Sequence, residues 1–153
     1  MIIQYESSEY AKYDHQWPTA SEEIKKVINW FVSGDSYLAV SLKDNQQFIG
    51  LISLTQQEDL HEYGFGYIFN SNYHHKGYAF EACKAVLDYA FNHLKAHKVT
   101  AGTAAVNVSS CKLLERLSFT IVGEKTSSFR KSIDGKPIEF VGLTFSLSRN
   151  KSD

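Results

Sequence analysis

The chain reads as an α/β protein built on a mixed sheet, and three observations lead there. Runs rich in β-branched and aromatic residues, Tyr37 to Leu42, Phe48 to Leu54 and Leu60 to Phe69, are separated by polar turn residues. Then Ala79, Ala82, Cys83, Val86, Leu87, Ala90, Phe91 and Leu94 recur at the spacing of a helix with one buried face. Strand-like and helix-like segments alternate from there to a terminal hairpin, the pattern of an α/β fold.

Each element has a local cause. Ser21 opens a first helix, with Glu22 and Glu23 suited to its first turn and Ile24, Val27, Ile28 and Phe31 as its apolar face. Gly34 ends it. Lys43-Asp44-Asn45-Gln46 turns the chain between the first two strands. Residues 55 to 60 form a polar loop. Gly64 and Gly66 inside the third strand suggest a bulge or a close backbone approach; room for neighbouring aromatics is the other reading. Lys98 to Thr103 is a strand, Ser109 to Leu117 a helix and Phe119 to Glu124 another strand. Phe129 to Ile133 and Ile138 to Leu147, joined at Asp134-Gly135-Lys136-Pro137, are expected to form the last hairpin. Residues 1–148 are expected as one domain and 149–153 as a disordered tail.

Composition narrows the function classes. The 153 residues suffice for one core, and 43% hydrophobic with 22% charged residues is ordinary for a globular domain. A net charge of −1 argues against strong nonspecific nucleic-acid binding. Cys83 and Cys111 make neither a disulfide framework nor a zinc spacing, so no metal site is expected. No apolar run approaches a membrane span, and Met1-Ile2-Ile3 is followed at once by polar residues. A cytoplasmic location, with no membrane partner, is the expectation.

The segment Tyr73-His74-His75-Lys76-Gly77-Tyr78-Ala79 carries the strongest functional signal. It joins a strand to a helix N-terminus, where unpaired N–H groups and the helix dipole favour an anion. Gly77 and Ala79 leave the backbone approachable, and Lys76 adds charge. It lacks both the Walker and the dinucleotide glycine patterns. Taken alone, a glycine before a helix is usually just a turn residue.

A wider resemblance raises that signal. His74-His75-Lys76-Gly77-Tyr78-Ala79 is similar to the Gln/Arg-x-x-Gly-x-Gly/Ala loop of the GNAT N-acetyltransferases, with His74 in place of Gln or Arg. Asn107-Val108-Ser109-Ser110, then Leu113-Leu114-Glu115-Arg116-Leu117-Ser118-Phe119, resembles the Asn-x-x-Ser…Leu-Glu-Lys-Leu-Gly-Phe segment of the RimJ/RimL-type branch, with Ser118 for Gly. That branch includes acetylases of ribosomal-protein N-termini. The two segments lie one helix and one strand apart, the family's spacing, and the resemblance runs from about Ser7 to Leu147.

The resemblance implies a GNAT fold: a mixed, mostly antiparallel central sheet with a splayed strand pair, flanked by helices. It implies acetyl-CoA as cofactor. Backbone of His75 to Ala79 would hold the pyrophosphate, backbone of Ile68 and Phe69 would pair with pantetheine, and Asn107 would hydrogen-bond the cofactor arm. Lys112 or Arg116 would meet the adenosine phosphates. Many members use a Tyr on the second helix to protonate the thiolate; the matching position here is Leu114, so Ser110 takes that role by resemblance. Read from the residues alone, Glu62, which enters the splayed strand, is the expected base, a solvated strand-end acid being the other reading. Tyr13, His15, Trp17, Phe129 and Arg130 are candidates for the acceptor site. Relative to the branch the N-terminus is shortened, and residues 1 to 5 are expected as a substitute strand. Without it an open sheet edge would favour a homodimer.

The expected reaction is acetyl transfer to a primary amine by direct attack on the thioester. An α-amine of pKa ~8 is roughly one-tenth neutral at pH 7, whereas a lysine amine at ~10.4 is almost wholly charged. A site without a strong base therefore favours a peptide N-terminus or a small amine. The alternative is a non-catalytic acyl-CoA-binding sensor or interaction module that keeps the cradle and lacks the Tyr.

Overall fold

A computed structural model describes residues 1–149, apart from the side chain of Ile3. Helix α1 spans Ile2–Glu6 and α2 Ser21–Val32. Strands β1 (Tyr37–Ser41), β2 (Phe48–Gln56) and β3 (Glu62–Phe69) precede α3 (Tyr78–Asn92). Then come β4 (Lys98–Ala104), α4 (Val108–Arg116), β5 (Thr120–Ser127) and β6 (Phe140–Ser148). The sheet has six strands in the order β1-β2-β3-β4-β6-β5. Only β3 and β4 run parallel, with α3 making the crossover between them. The sheet is thus mixed and mostly antiparallel.

Register explains the core. Leu54 faces Phe65, Phe65 faces Ala101, and Ala101 faces Phe145 across successive strands. All four are buried, because residues opposite one another project from the same face of a pleated sheet. Cys83, Leu87 and Ala90 of α3 and Leu114 of α4 complete this cluster. Helix α2 packs elsewhere: Phe31 stacks on Tyr37 at 4.2 Å and meets Trp17 edge-on at 5.9 Å.

Four expectations change. Residues 2–6 form a helix, not a substitute strand: Tyr5 N–H bonds to Met1 O at 2.8 Å, which closes a helical turn. β1 is therefore an edge strand. No bulge interrupts β3, whose register with β2 is unbroken from Gly50↔Phe69 to Gln56↔Tyr63. A Cβ on Gly64 would lie 2.8 Å from Gln57 Nε2, and one on Gly66 would lie 2.8 Å from Ser53 Oγ. The glycines make room for two polar side chains of the preceding strand and loop, not for aromatics. Phe129 to Ile133 is not a strand; one bridge, Lys131↔Pro137, remains of the expected hairpin, and β6 pairs with β5 instead. Arg149 belongs to the fold, since its N–H donates to His97 O at 3.0 Å and its guanidinium to Phe91 O at 3.2 Å. The remainder of the expected tail, 150–153, lies outside the described residues. Among the described residues, no helix is long and apolar enough to cross a membrane.

Candidate active site

The parallel pair is where the site opens. β3 and β4 pair from Glu62↔Lys98 to Phe65↔Ala101 and then separate. Beyond that point Gly66 to Phe69 and Gly102 to Ala104 line a cleft of about 1360 Å³. This is the splayed pair expected from the resemblance. Backbone groups of β3 on that side lose their ladder partners, so they are available to another extended chain.

At one end the cleft meets the loop before α3. Gly77 is the N-cap of α3 with φ +85°, and His75 has φ +59°. A Cβ on Gly77 would meet nothing within 4 Å, so packing within the protein does not demand glycine there; the left-handed backbone does. The first helical bond runs from Glu81 N–H to Gly77 O at 3.0 Å. The N–H groups of Tyr78, Ala79 and Phe80 precede it and lack an i−4 partner. His74 ties the loop back, its Nε2 lying 3.0 Å from Phe69 O. That contact already uses one of the backbone groups expected to meet pantetheine. His74, His75, Gly77 and Ala79 line the cleft; Lys76 and Tyr78 do not. The Lys76 ammonium sits instead over the Tyr73 ring at 5.3 Å.

α4 forms the opposite wall. Asn107 is its N-cap, with Oδ1 accepting from Ser110 N–H at 3.2 Å. The cap fixes the amide so that its oxygen is engaged and its NH₂ group remains. Lys112 lines the cleft from the exposed side, and the Arg116 guanidinium lies over the Phe80 ring at 4.6 Å. Leu114, at the position of the family's Tyr, is buried in the core.

A phenol reaches α4 from the sheet instead. Tyr67 is the next residue of β3 on the core face after Phe65, just past the last pairing with β4. Its hydroxyl lies 2.9 Å from Ser110 Oγ and 3.2 Å from Ser110 O. Burial pushes the Tyr67 phenol well above its ordinary range, so it stays protonated at neutral pH. Sequence reading missed Tyr67. The alternation Tyr63-Phe65-Tyr67 placed it on the core face, but only the tertiary fold brings it to Ser110. Burial also raises both thiols, Cys83 to about 12, which suits packing and not nucleophilic work.

Glu62 is not in the cleft. It starts β3 and pairs with Lys98 at 2.5 Å. Five residues of strand separate it from Tyr67, about 16 Å at ~3.3 Å per residue. The sequence placed Glu62 on the correct strand, but the cleft opens at the strand's other end.

The far end of the cleft is aromatic. Tyr13, His15, Trp17, Phe129 and Phe140 line it, with the rings of His15 and Phe129 4.1 Å apart. Arg130, expected there, instead binds the two walls together. Its guanidinium donates to both oxygens of Glu6 at 2.9 Å, to Asp14 O at 2.7 Å and to His15 O at 3.1 Å. Burial raises the Glu6 carboxyl, but the bonds from Arg130 and Trp17 N–H outweigh it, and the net shift is downward.

Known proteins match this architecture. The family model described as an acetyltransferase (GNAT) domain matches residues 1–120. The chain belongs to the GNAT acetyltransferase family. It is an N-acetyltransferase, and acetyl-CoA is its acetyl donor. The uncharacterized N-acetyltransferase YnaD of Bacillus subtilis (strain 168) is 31% identical over 119 residues, which cover 76% of this chain and 69% of YnaD. Two solved structures share the fold. A ribosomal-protein-S5-alanine acetyltransferase from Vibrio fischeri superposes with TM-score 0.71 at 22% identity, over 90% of this chain and 80% of that one. A spermidine N-acetyltransferase from Vibrio cholerae, in complex with CoA and spermine, superposes with TM-score 0.72 at 20% identity, over 91% and 80%. The GNAT architecture is thus common to proteins named for different acceptors, and the acceptor of this chain must be argued from its own residues.

Proposed function

We propose that this GNAT enzyme acetylates a primary amine, a peptide N-terminal α-amine or a small amine, in the manner of the RimJ/RimL-type branch. One observation carries the reading: a single cleft links the loop before α3, the Tyr67–Ser110 pair and the aromatic end.

Each part has a task. The free N–H groups at the α3 start and the left-handed turns at His75 and Gly77 suit a pyrophosphate. Open space at Gly77 fits a phosphate that approaches the backbone, and a side chain would fill it. The Phe69 backbone, on the cleft side of β3, serves the pantetheine arm, whereas Ile68 pairs with Leu51 of β2 and turns its N–H and C=O that way. The Asn107 NH₂ group is the donor offered to the arm from α4. Lys112 and Arg116 supply positive charge to the adenosine phosphates.

Bound acetyl-CoA supplies an activated acyl group. The amine nitrogen bonds to the acetyl carbon, the carbon–sulfur bond breaks, and the thiolate takes a proton. Ser110 Oγ passes on that proton and takes back the one the nitrogen sheds as the amide forms, directly or through water, and the protonated Tyr67 phenol behind it holds the hydroxyl in place. With Tyr67 present, the missing helix Tyr no longer favours a non-catalytic sensor. With Glu62 elsewhere and Asp14 the one carboxylate among the described residues lining the cleft, amines with an appreciable neutral fraction near pH 7 are favoured.

Titration calorimetry with acetyl-CoA, with ATP and NAD as anion controls, tests the cradle. Selective micromolar binding followed by amine-dependent thiol release is the expected result. Binding with no thiol release above background for any amine would refute catalysis.

A further inference from the structure

The two ends of the cleft differ in charge. Lys112 and Arg116 line the cofactor end. At the aromatic end, Asp14 is the one Asp or Glu among the described lining residues. Its carboxylate is held by neutral donors: Tyr5 hydroxyl to Oδ2 at 2.8 Å and His15 N–H to Oδ1 at 2.7 Å. Arg130 bonds to the backbone oxygen of Asp14, while its own charge is matched by Glu6. Asp14 makes no ion pair among the described residues. The result is a carboxylate oriented by its neighbours and not neutralised by them, beside a wall of rings.

We propose that this end receives a singly charged primary ammonium carried on an apolar or aromatic body, with Asp14 as its counter-charge. The inference rests on the acetyl-transfer reading of the cleft. Tyr13 packs on Phe140 at 5.5 Å, and Phe140 on Phe129 at 5.5 Å. That surface favours an apolar group, and its ring faces attract a cation. A polyamine fits poorly. One carboxylate neutralises one ammonium, and Lys125, which also lines the cleft, repels a second. Encounter with Asp14 collects the charged form; loss of a proton to water then frees the nitrogen for attack.

The test uses the full chain with acetyl-CoA and reads thiol release for 2-phenylethylamine, a tripeptide beginning with Phe, and spermidine. At least one of the first two should exceed spermidine about tenfold in kcat/KM; which of them wins tells whether the body is a peptide or a free amine. Asp14→Asn keeps an acceptor for Tyr5 and should raise the amine KM about 10- to 100-fold, the range for a hydrogen bond to a charged group. Its acetyl-CoA Kd should be unchanged. Lys125→Gln should improve spermidine as a substrate. Preference for spermidine in the wild type, or an unchanged amine KM in Asp14→Asn with acetyl-CoA binding intact, would overturn the proposal alone. Failure of the wild type to bind acetyl-CoA would overturn the acetyl-transfer reading and this inference with it.

Discussion

Replacing Glu6 with Gln tests whether the walls of the acceptor end are held by one ion pair. Glu6 and Arg130 are 124 residues apart, and their side chains are 9% and 18% exposed. A surface pair contributes ~0–1 kcal/mol, whereas breaking a fully buried one costs ~3–5 kcal/mol. This pair is largely buried and bidentate, so it belongs nearer the upper range. Gln keeps the shape and one acceptor, and Arg130 keeps the carbonyls of Asp14 and His15, which moderates the loss. The expected cost is about 2 kcal/mol, or about 4–8 °C in Tm for a domain of this size. The sign of the pH dependence follows from the lowered Glu6 carboxyl. Just below the ordinary value of 4.5 the unfolded chain takes up a proton that the folded chain does not. The pair's contribution is therefore complete above that value and is lost as pH falls through the lower folded value. Thermal unfolding of wild type and Glu6→Gln from pH 7 to pH 3 should show the two curves converging in acid. In kinetics, the amine KM should rise several-fold with acetyl-CoA Kd unchanged. A Tm within 1 °C of wild type at pH 7, or equal losses for both substrates, would refute the clamp.

Other changes probe other parts of the cleft and fold. Gly77→Asp places a carboxylate in open space at the cradle, so acetyl-CoA affinity should fall by more than 100-fold at a stability cost of about 1 kcal/mol; unchanged affinity in calorimetry would remove the cradle. Ser110→Ala and Tyr67→Phe should each lower kcat about 10- to 100-fold with little change in acetyl-CoA Kd, and the double variant should be no worse than Ser110→Ala. Additive losses would mean that the two hydroxyls act separately. Ser118 has φ +70° just beyond α4, so Ser118→Gly should stabilise the fold by about 1 kcal/mol in denaturant melts; a loss would mean that the Ser118 side chain is needed. β1 is an open edge flanked by exposed Trp30, Val32 and Leu38, so the chain should sediment as a dimer that Leu38→Lys weakens; a monomer at high concentration would end that expectation.

Much of this was legible in the residues. Helical spacing gave α3 to within two residues, and Gly77 marked the turn ahead of it, which the structure shows to be left-handed. Asn107, expected to meet the cofactor arm, also caps α4 with its side-chain oxygen, and Ser118, at the Gly of the resembled motif, falls at a left-handed position that suits Gly. These features are local: a few consecutive residues and the backbone's steric limits decide them.

Other outcomes depended on which distant segments meet. Ile2 and Ile3 have strand-forming side chains, yet residues 2–6 coil into a helix that brings Glu6 to Arg130. Phe129 to Ile133 has strand-like composition, yet β6 takes β5 as its partner and leaves Phe129 to wall the cleft. Glu62 and Tyr67 share one strand, and the length over which β3 pairs with β4 decides which of them faces the cleft. The sequence by itself determined the family, through two motifs at the right spacing, and the elements around the cofactor loop, for which short-range backbone preference suffices. Only the tertiary structure decided the phenol beside Ser110, the Glu6–Arg130 clamp and the lone carboxylate at the acceptor end. The first two are contacts between residues 43 and 124 apart in sequence, and the third depends on Phe129 and Phe140 coming to the same cleft as Asp14; strand register and packing set all three, and no local spacing encodes them.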